Sequence, residues 1–158
     1  MERTAERLTI ERTLDIEATP ETVWELLVDP VKARRWWGLD ATFDPEPGGE
    51  FVLHVVSGSI ARGIFVEVEP PRRLVYTWGW ERRVDGNEQT PPGSTTVEIT
   101  LEPAAGGTRL TFVHSGLTDP GEVERHAAGW DHYLARLAIA AAGGDPGPDP
   151  WLQQSSHT

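Results

Sequence analysis

The chain has no cysteine, no long apolar run and a shortage of positive charge. Without cysteine there can be no disulfide and no thiolate metal ligand. The longest uncharged, largely apolar stretch, Leu137 to Gly144, falls far short of the roughly 20 residues that cross a bilayer, so no membrane span is expected. Lysine and arginine number 14 against 25 aspartates and glutamates, a formal net charge of −11. A surface of that sign repels phosphates, so nucleic acid is not an expected partner. The pairs Arg34-Arg35, Arg72-Arg73 and Arg82-Arg83 are scattered, have acids nearby, and read as solvated surface. Charges run through the first fifteen residues, so neither a secretory signal nor an acid-free, arginine-rich presequence is expected, and the cytoplasm is the default setting.

What is present is the composition of a folded protein, with 38% hydrophobic and 25% charged residues in 158. That length predicts one domain over residues 1–144. The run Asp145-Pro146-Gly147-Pro148-Asp149-Pro150 cannot pack by itself, so residues 145–158 read as a flexible Pro/Gly-rich tail carrying Trp151-Leu152. Seven tryptophans stand against two tyrosines and four phenylalanines. Large rings bearing a single N–H are in unusual use here.

The longest predicted element is a helix from Pro120 to Ala142, with Val123, Ala127, Trp130, Leu134, Leu137 and Ala141 on one face at helical spacing. Asp119 is its N-cap, Pro120 its first residue, and Gly143-Gly144 its stop. Glu124, Arg125, Asp131, His132 and Arg136 fall mostly on the opposite, watery side. Two short helices are predicted earlier, opened by Thr19-Pro20-Glu21 and by Asp29-Pro30.

Period-two alternation marks strands at Leu8 to Ile16, Phe51 to Val56, Ile60 to Glu69, Leu74 to Trp80, Thr96 to Leu101 and Leu110 to His114. Arg12 interrupts the apolar side of the first, and Phe43 to Gly49 is rich in turn residues. The expected class is therefore α+β: an antiparallel meander of about seven strands packed on a long C-terminal helix.

Several segments point more narrowly: Ala18-Thr19-Pro20-Glu21-Thr22-Val23-Trp24, Trp36-Trp37-Gly38, Gly48-Gly49-Glu50-Phe51, Pro70-Pro71-Arg72-Arg73-Leu74-Val75-Tyr76-Thr77-Trp78, His114-Ser115-Gly116-Leu117, and His126 with Gly129-Trp130 and Tyr133-Leu134. In this order and spacing, from about Leu8 to Ala142, the chain resembles the SRPBCC (START-like) superfamily. Within it, the chain is similar to the branch named after the activator of heat-shock protein 90 ATPase. The resemblance implies a helix-grip fold, a curved antiparallel sheet wrapped around the C-terminal helix, often with an apolar cavity between them. The family spans chaperone activators linked to stress response, binders of small hydrophobic molecules, and domains without an assigned role. Eukaryotic activators are similar to this chain only in their C-terminal domain; its length has no room for their N-terminal chaperone-binding domain, which argues against direct ATPase stimulation.

The candidate ligand site joins inward strand positions to the helix: Trp37, Phe51, Leu53, Tyr76, Trp78, Trp80, Phe112, His114, His126, Trp130 and Tyr133. The expected partner is a small hydrophobic or aromatic molecule. His114 and His126 are read either as satisfied core histidines or as groups that orient a ligand hydroxyl or carboxylate. Gly129 is read first as a point where the helix approaches another backbone, and second as space beside Trp130 for a ligand. The Asp85 to Gly93 segment is a long polar loop near any cavity mouth. No catalytic residues, metal ligands or cofactor motif are expected. Two alternatives stand beside binding: an aromatase/cyclase-like enzyme of polyketide type using His114, His126, Tyr76 and Tyr133, or a chaperone-associated interaction domain. Either a monomer or a homodimer suits these readings.

Overall fold

The computed structural model describes residues 8–56, 58–83 and 90–149. Alternation folds as the sequence predicts. Strand β1 (Leu8–Ile16) buries Ile10 and Ile16 and turns Thr9, Glu11, Thr13 and Asp15 outward. Arg12, the interruption on its inner side, reaches across to Asp131 of the C-terminal helix at 2.6 Å. The pair is well exposed and ties sheet to helix more in register than in energy.

Helices α1 (Pro20–Val28) and α2 (Pro30–Ala33) follow. Thr19 accepts from the Thr22 N–H and Asp29 from the N–H groups of Val31 and Lys32, so each helix begins where a side-chain oxygen satisfies its orphan donors. Helix α1 buries Val23, Trp24, Leu26 and Leu27. Six strands precede the next pair of long ones: β2 (Asp40–Phe43), β3 (Glu50–Val56), β4 (Ser59–Glu69), β5 (Arg73–Trp78) and β6 (Trp80–Arg82) complete them after β1, and β7 (Thr95–Ala104) and β8 (Gly107–Leu117) come next. The last element is α3 (Pro120–Ala141).

The sheet runs β1-β8-β7-β5-β4-β3-β2, all antiparallel, with β6 pairing the first half of β4. Eight strands stand where the sequence marks six segments, in keeping with the expected sheet of about seven. The added strand is β2, whose four residues pair with β3 from Asp40 opposite His54 to Phe43 opposite Phe51. It is too short and too polar to show a period of two. The stretch from Leu74 to Trp80 is also not one strand but two, divided at Gly79.

Gly79 is the point where the returning chain passes close by. A Cβ there would lie 1.8 Å from the Pro91 carbonyl oxygen. The same crossing lets the Trp80 N–H donate to the Thr90 carbonyl at 2.7 Å and the Arg62 N–H to that of Gly79 at 2.9 Å. Long β4 thus pairs β5 with one half and β6 with the other, with register shifts that bend the sheet.

Helix α3, about 33 Å long, begins and ends as its sequence requires. Asp119 accepts from the Glu122 N–H at 3.1 Å, and Gly143, at φ +89, turns the chain out of the helix. Its buried face is centred on Trp130, Leu134 and Leu137, as the spacing predicts. Glu122, His126 and Tyr133 are also buried, whereas Val123 and Ala127 are only half-buried, so the face is rotated slightly from the apolar stripe. No helix among the described residues is long and apolar enough to cross a membrane.

Residues 145–149, read from sequence as part of a flexible tail, fold back along α3. Asp149 is buried, and Arg136 donates to the carbonyls of Pro146 and Gly147. The remainder of that segment, including Trp151-Leu152, lies outside the described residues.

A Gly79→Ala variant is expected to lose about 2 kcal/mol or more of stability, because its new methyl group must displace a backbone carbonyl. Equilibrium urea unfolding measures this; a midpoint within error of the wild type would contradict the crossing.

Candidate functional site

Strands β3, β4, β5 and β6 and helix α3 enclose a hollow of about 210 Å³. Its walls are mainly aromatic: Trp37 from the segment after α2, Trp78 and Trp80 from the broken strand, and Trp130 with Tyr133 from the helix. The rings of Trp78 and Trp130 lie 5.1 Å apart between centroids, those of Trp37 and Trp130 5.4 Å, and those of Trp37 and Trp78 6.1 Å, nearly parallel. These six rings and imidazoles, with His126 included, are the members of the candidate set that the fold brings to the hollow.

The other five candidates lie behind that wall, in packed core. Phe51 stacks on Tyr76 at 4.3 Å and on Phe43 at 4.9 Å. Leu53 and Phe112 are fully buried, Phe112 with its ring 4.6 Å from that of Trp130. His114 is fully buried as well. Alternation assigns all of them to the inner face correctly; it does not say which part of that face meets filled space.

Residues the sequence did not single out complete the lining. Val55, Val56 and Ser59 come from the β3–β4 turn region, and Arg83 and Arg125 from the mouth. Gly129 corrects an expectation. It does not bring α3 against another backbone, since a Cβ built there meets nothing within 4 Å. It faces the hollow instead. The Asp85 to Gly93 loop falls largely outside the described residues.

Polar groups around the hollow are ordered by two reciprocal bonds between sheet and helix. Trp80 Nε1 donates to His126 Nε2 at 3.0 Å, strand to helix. Trp130 Nε1 donates to His114 Nδ1 at 2.9 Å, helix to strand. Each accepting nitrogen must be unprotonated, which fixes both tautomers. His126 then carries its hydrogen on Nδ1 and donates to the Glu122 carbonyl at 2.7 Å. His114 carries its hydrogen on Nε2 and donates to Thr95 Oγ1 at 2.8 Å, and Thr95 in turn donates to the Trp78 carbonyl at 2.7 Å. Burial, aided by the neighbouring His126, pushes the His114 pKa down to about 3. Burial also lowers that of His126, outweighing the pull of the Glu122 carbonyl and carboxylate. Both imidazoles are neutral at pH 7.

Glu122 anchors the mouth. It is buried, and accepts from Thr90 Oγ1 at 2.6 Å and from Arg83 at 2.9 Å and 3.2 Å, with Arg125 of the next turn on the same carboxylate. Burial alone would raise its pKa, but the bonds from Arg83, Thr90 and Arg125 prevail and hold it at about 2. Arg83 lies 5.3 Å over the Trp80 ring. At the other end Tyr133 donates to Asp149 at 2.6 Å, and burial followed by that carboxylate pushes the phenol far above its ordinary range. Two buried indole N–H groups, those of Trp37 and Trp78, find no acceptor among the described residues. No cluster of three or more metal-ligating side chains occurs among the described residues.

Comparison with known proteins agrees with this architecture. The model of the family described as activator of Hsp90 ATPase homolog 1-like protein matches residues 17–142. The chain belongs to that family. An AHSA1-like protein of Rhizobium etli is similar at 45% identity, over 96% of this chain and 92% of that one, with a TM-score of 0.75. DynU16, a protein of the dynemicin biosynthetic locus, is 26% identical over 87% of this chain and 49% of its own, with a TM-score of 0.72. The Aha1 dimer of Colwellia psychrerythraea shares the fold at 20% identity, over 87% of this chain and 98% of that chain, with a TM-score of 0.71. No protein of curated function matches. The AHSA1-like membership and the helix-grip fold implied by the sequence motifs both stand.

Two outcomes follow for this AHSA1-like chain. Gly129→Ala fills open space within a helix and is expected to stabilise by about 1 kcal/mol, measured by urea unfolding; a loss of stability would mean that the space is not open. The two histidines also make stability depend on pH. The unfolded imidazole of His114 takes up a proton near its ordinary 6.5, whereas the folded one resists until about 3. Stability is therefore whole above that window and falls as pH drops through it, at up to about 1.4 kcal/mol per pH unit for this group. Below the ordinary 4.5 of an unfolded glutamate, Glu122 adds a second loss of the same sign down to about 2. Unfolding free energies at pH 7.5, 6.5 and 5.5 should decline in the wild type and decline less in His114→Gln; equal slopes would contradict the assignment.

Proposed function

We propose that this AHSA1-like protein binds a small hydrophobic or aromatic molecule in the hollow between sheet and α3. The open face at Gly129 carries the reading. A helix meant only to close a core places a side chain where Trp130 has a neighbour, yet here the position is a glycine with nothing within 4 Å, although glycine costs a helix about 1 kcal/mol. Apolar cavities of about 150 Å³ admit benzene, so 210 Å³ suits a ligand of one or two rings. The tryptophans offer faces for stacking, and the arginines at the mouth suit a polar group at the ligand's outer end.

The aromatase/cyclase alternative draws on the likeness to DynU16 of a biosynthetic locus. Acid–base chemistry needs a nitrogen or oxygen free to meet the substrate. Here both ring nitrogens of His114 and of His126 have protein partners, and Tyr133 gives its hydrogen to Asp149. That arrangement supports binding without turnover. A chaperone-associated role rests on the family's name, and a cytoplasmic setting remains part of the reading.

The test is titration of one- and two-ring aromatic compounds, followed by intrinsic tryptophan fluorescence. Saturable changes are expected in the wild type. Gly129→Leu, whose side chain enters the hollow, should weaken binding by about tenfold or more while far-UV circular dichroism and thermal midpoint are retained. A flat response across the panel, or unchanged affinity in Gly129→Leu, would overturn the proposal.

A further inference from the structure

The sequence pattern makes all the arginine pairs look alike, as solvated surface; the structure separates them. Arg72, Arg73 and Arg83 each meet a carboxylate, as do most cations of this acidic chain. Among the described residues only Arg34, Arg35, Arg82 and Arg136 lack one within 4 Å. Three of these four, Arg34, Arg35 and Arg136, line a single concavity of about 210 Å³. Arg82 is elsewhere, exposed on β6.

The concavity is distinct from the aromatic hollow but shares a wall with it, because Trp37 lines both. Its far side is the fold-back segment Gly147, Pro148 and Asp149. Arg136 is held in place by three neutral carbonyls: its Nε donates to Trp36 at 3.0 Å, Nη1 to Pro146 at 3.3 Å and Nη2 to Gly147 at 2.9 Å. Those bonds fix its position without cancelling its charge, and a guanidinium has five N–H groups. Arg34 and Arg35 are exposed and uncommitted, able to close on whatever the fixed cation attracts.

The acids of the fold-back segment have other work. Asp149 accepts from the Tyr133 hydroxyl and meets His132 at 2.9 Å, while Asp145, on the adjoining hollow, accepts from the Gly147 N–H. The three guanidinium groups outnumber them.

We propose that this concavity is an oxyanion site that takes a phosphate group. A planar carboxylate is matched by one guanidinium fork, whereas three cations, two from the end of α2 and one from α3, suit a tetrahedral, doubly charged anion. The site stands on its own arginines and does not depend on whether the aromatic hollow is occupied.

Isothermal titration of the full chain with inorganic phosphate, at low ionic strength and pH 7.5, tests it. Acetate serves as the carboxylate arm and phenyl phosphate as the organic one. Phosphate should bind, and acetate should bind about tenfold or more weakly. Arg34→Gln/Arg35→Gln should lower phosphate affinity about tenfold or more, and Arg82→Gln should leave it unchanged. Tighter binding of phenyl phosphate would name a phosphorylated organic molecule as the occupant; equal or weaker binding would name free phosphate. No phosphate binding at about 10 mM, acetate binding as tight as phosphate, or an equal loss in Arg82→Gln and the double variant would each overturn the site.

Discussion

Two hydrogen bonds from indole N–H groups to neutral imidazoles set the separation on which this structure depends. One runs from the sheet to the helix, Trp80 to His126, and the other from the helix to the sheet, Trp130 to His114. A buried donor left without an acceptor costs about 1–3 kcal/mol, so neither ring can slide without a penalty. Together the bonds hold α3 at a fixed height above a curved sheet. The rings cannot collapse into the space beneath Gly129, and a hollow persists where a closer helix would leave solid core.

Neutrality is what makes this arrangement work. A charged imidazole would offer a second N–H where each indole needs a lone pair, and would bring an ion into apolar surroundings. Burial keeps both rings neutral, and the charges belonging to the region are gathered instead on Glu122. That carboxylate is the hub of the mouth. It binds Arg83 beyond the broken strand, Thr90 from the returning loop, and Arg125 from its own helix. The close crossing at Gly79 delivers Thr90 to it, so a backbone feature of the sheet decides the electrostatics of the helix terminus.

The sequence is legible wherever the deciding interaction is local. The limits of α3 follow from Asp119, Pro120 and Gly143-Gly144, and those of α1 and α2 from Thr19-Pro20 and Asp29-Pro30. Alternation places Tyr76, Trp78 and Phe112 on the inner face, and the order of the motifs points to the AHSA1-like branch. Illegible were features made by distant chain segments. Strand β2 exists because β3 offers it an edge, and the break at Gly79 because Pro91 passes there. Arg12, which looks like a flaw in an apolar face, is explained by Asp131, far along the chain.

By itself, then, the amino-acid order determined the elements, their caps, their inward faces and the grip of sheet on helix, since these depend on residue spacing and short-range hydrogen bonding. Only the tertiary structure decided which inward rings are packing and which are lining. Phe51 and Trp78 obey the same alternation, yet one is stacked solid and the other borders open space. The difference arises from what the facing element carries at the contact, and Gly129 comes opposite the tryptophans only once helix and sheet have been brought together. For the same reason Arg34-Arg35 and Arg72-Arg73 are indistinguishable in sequence: a charge is neutralised by the partner that folding brings to it.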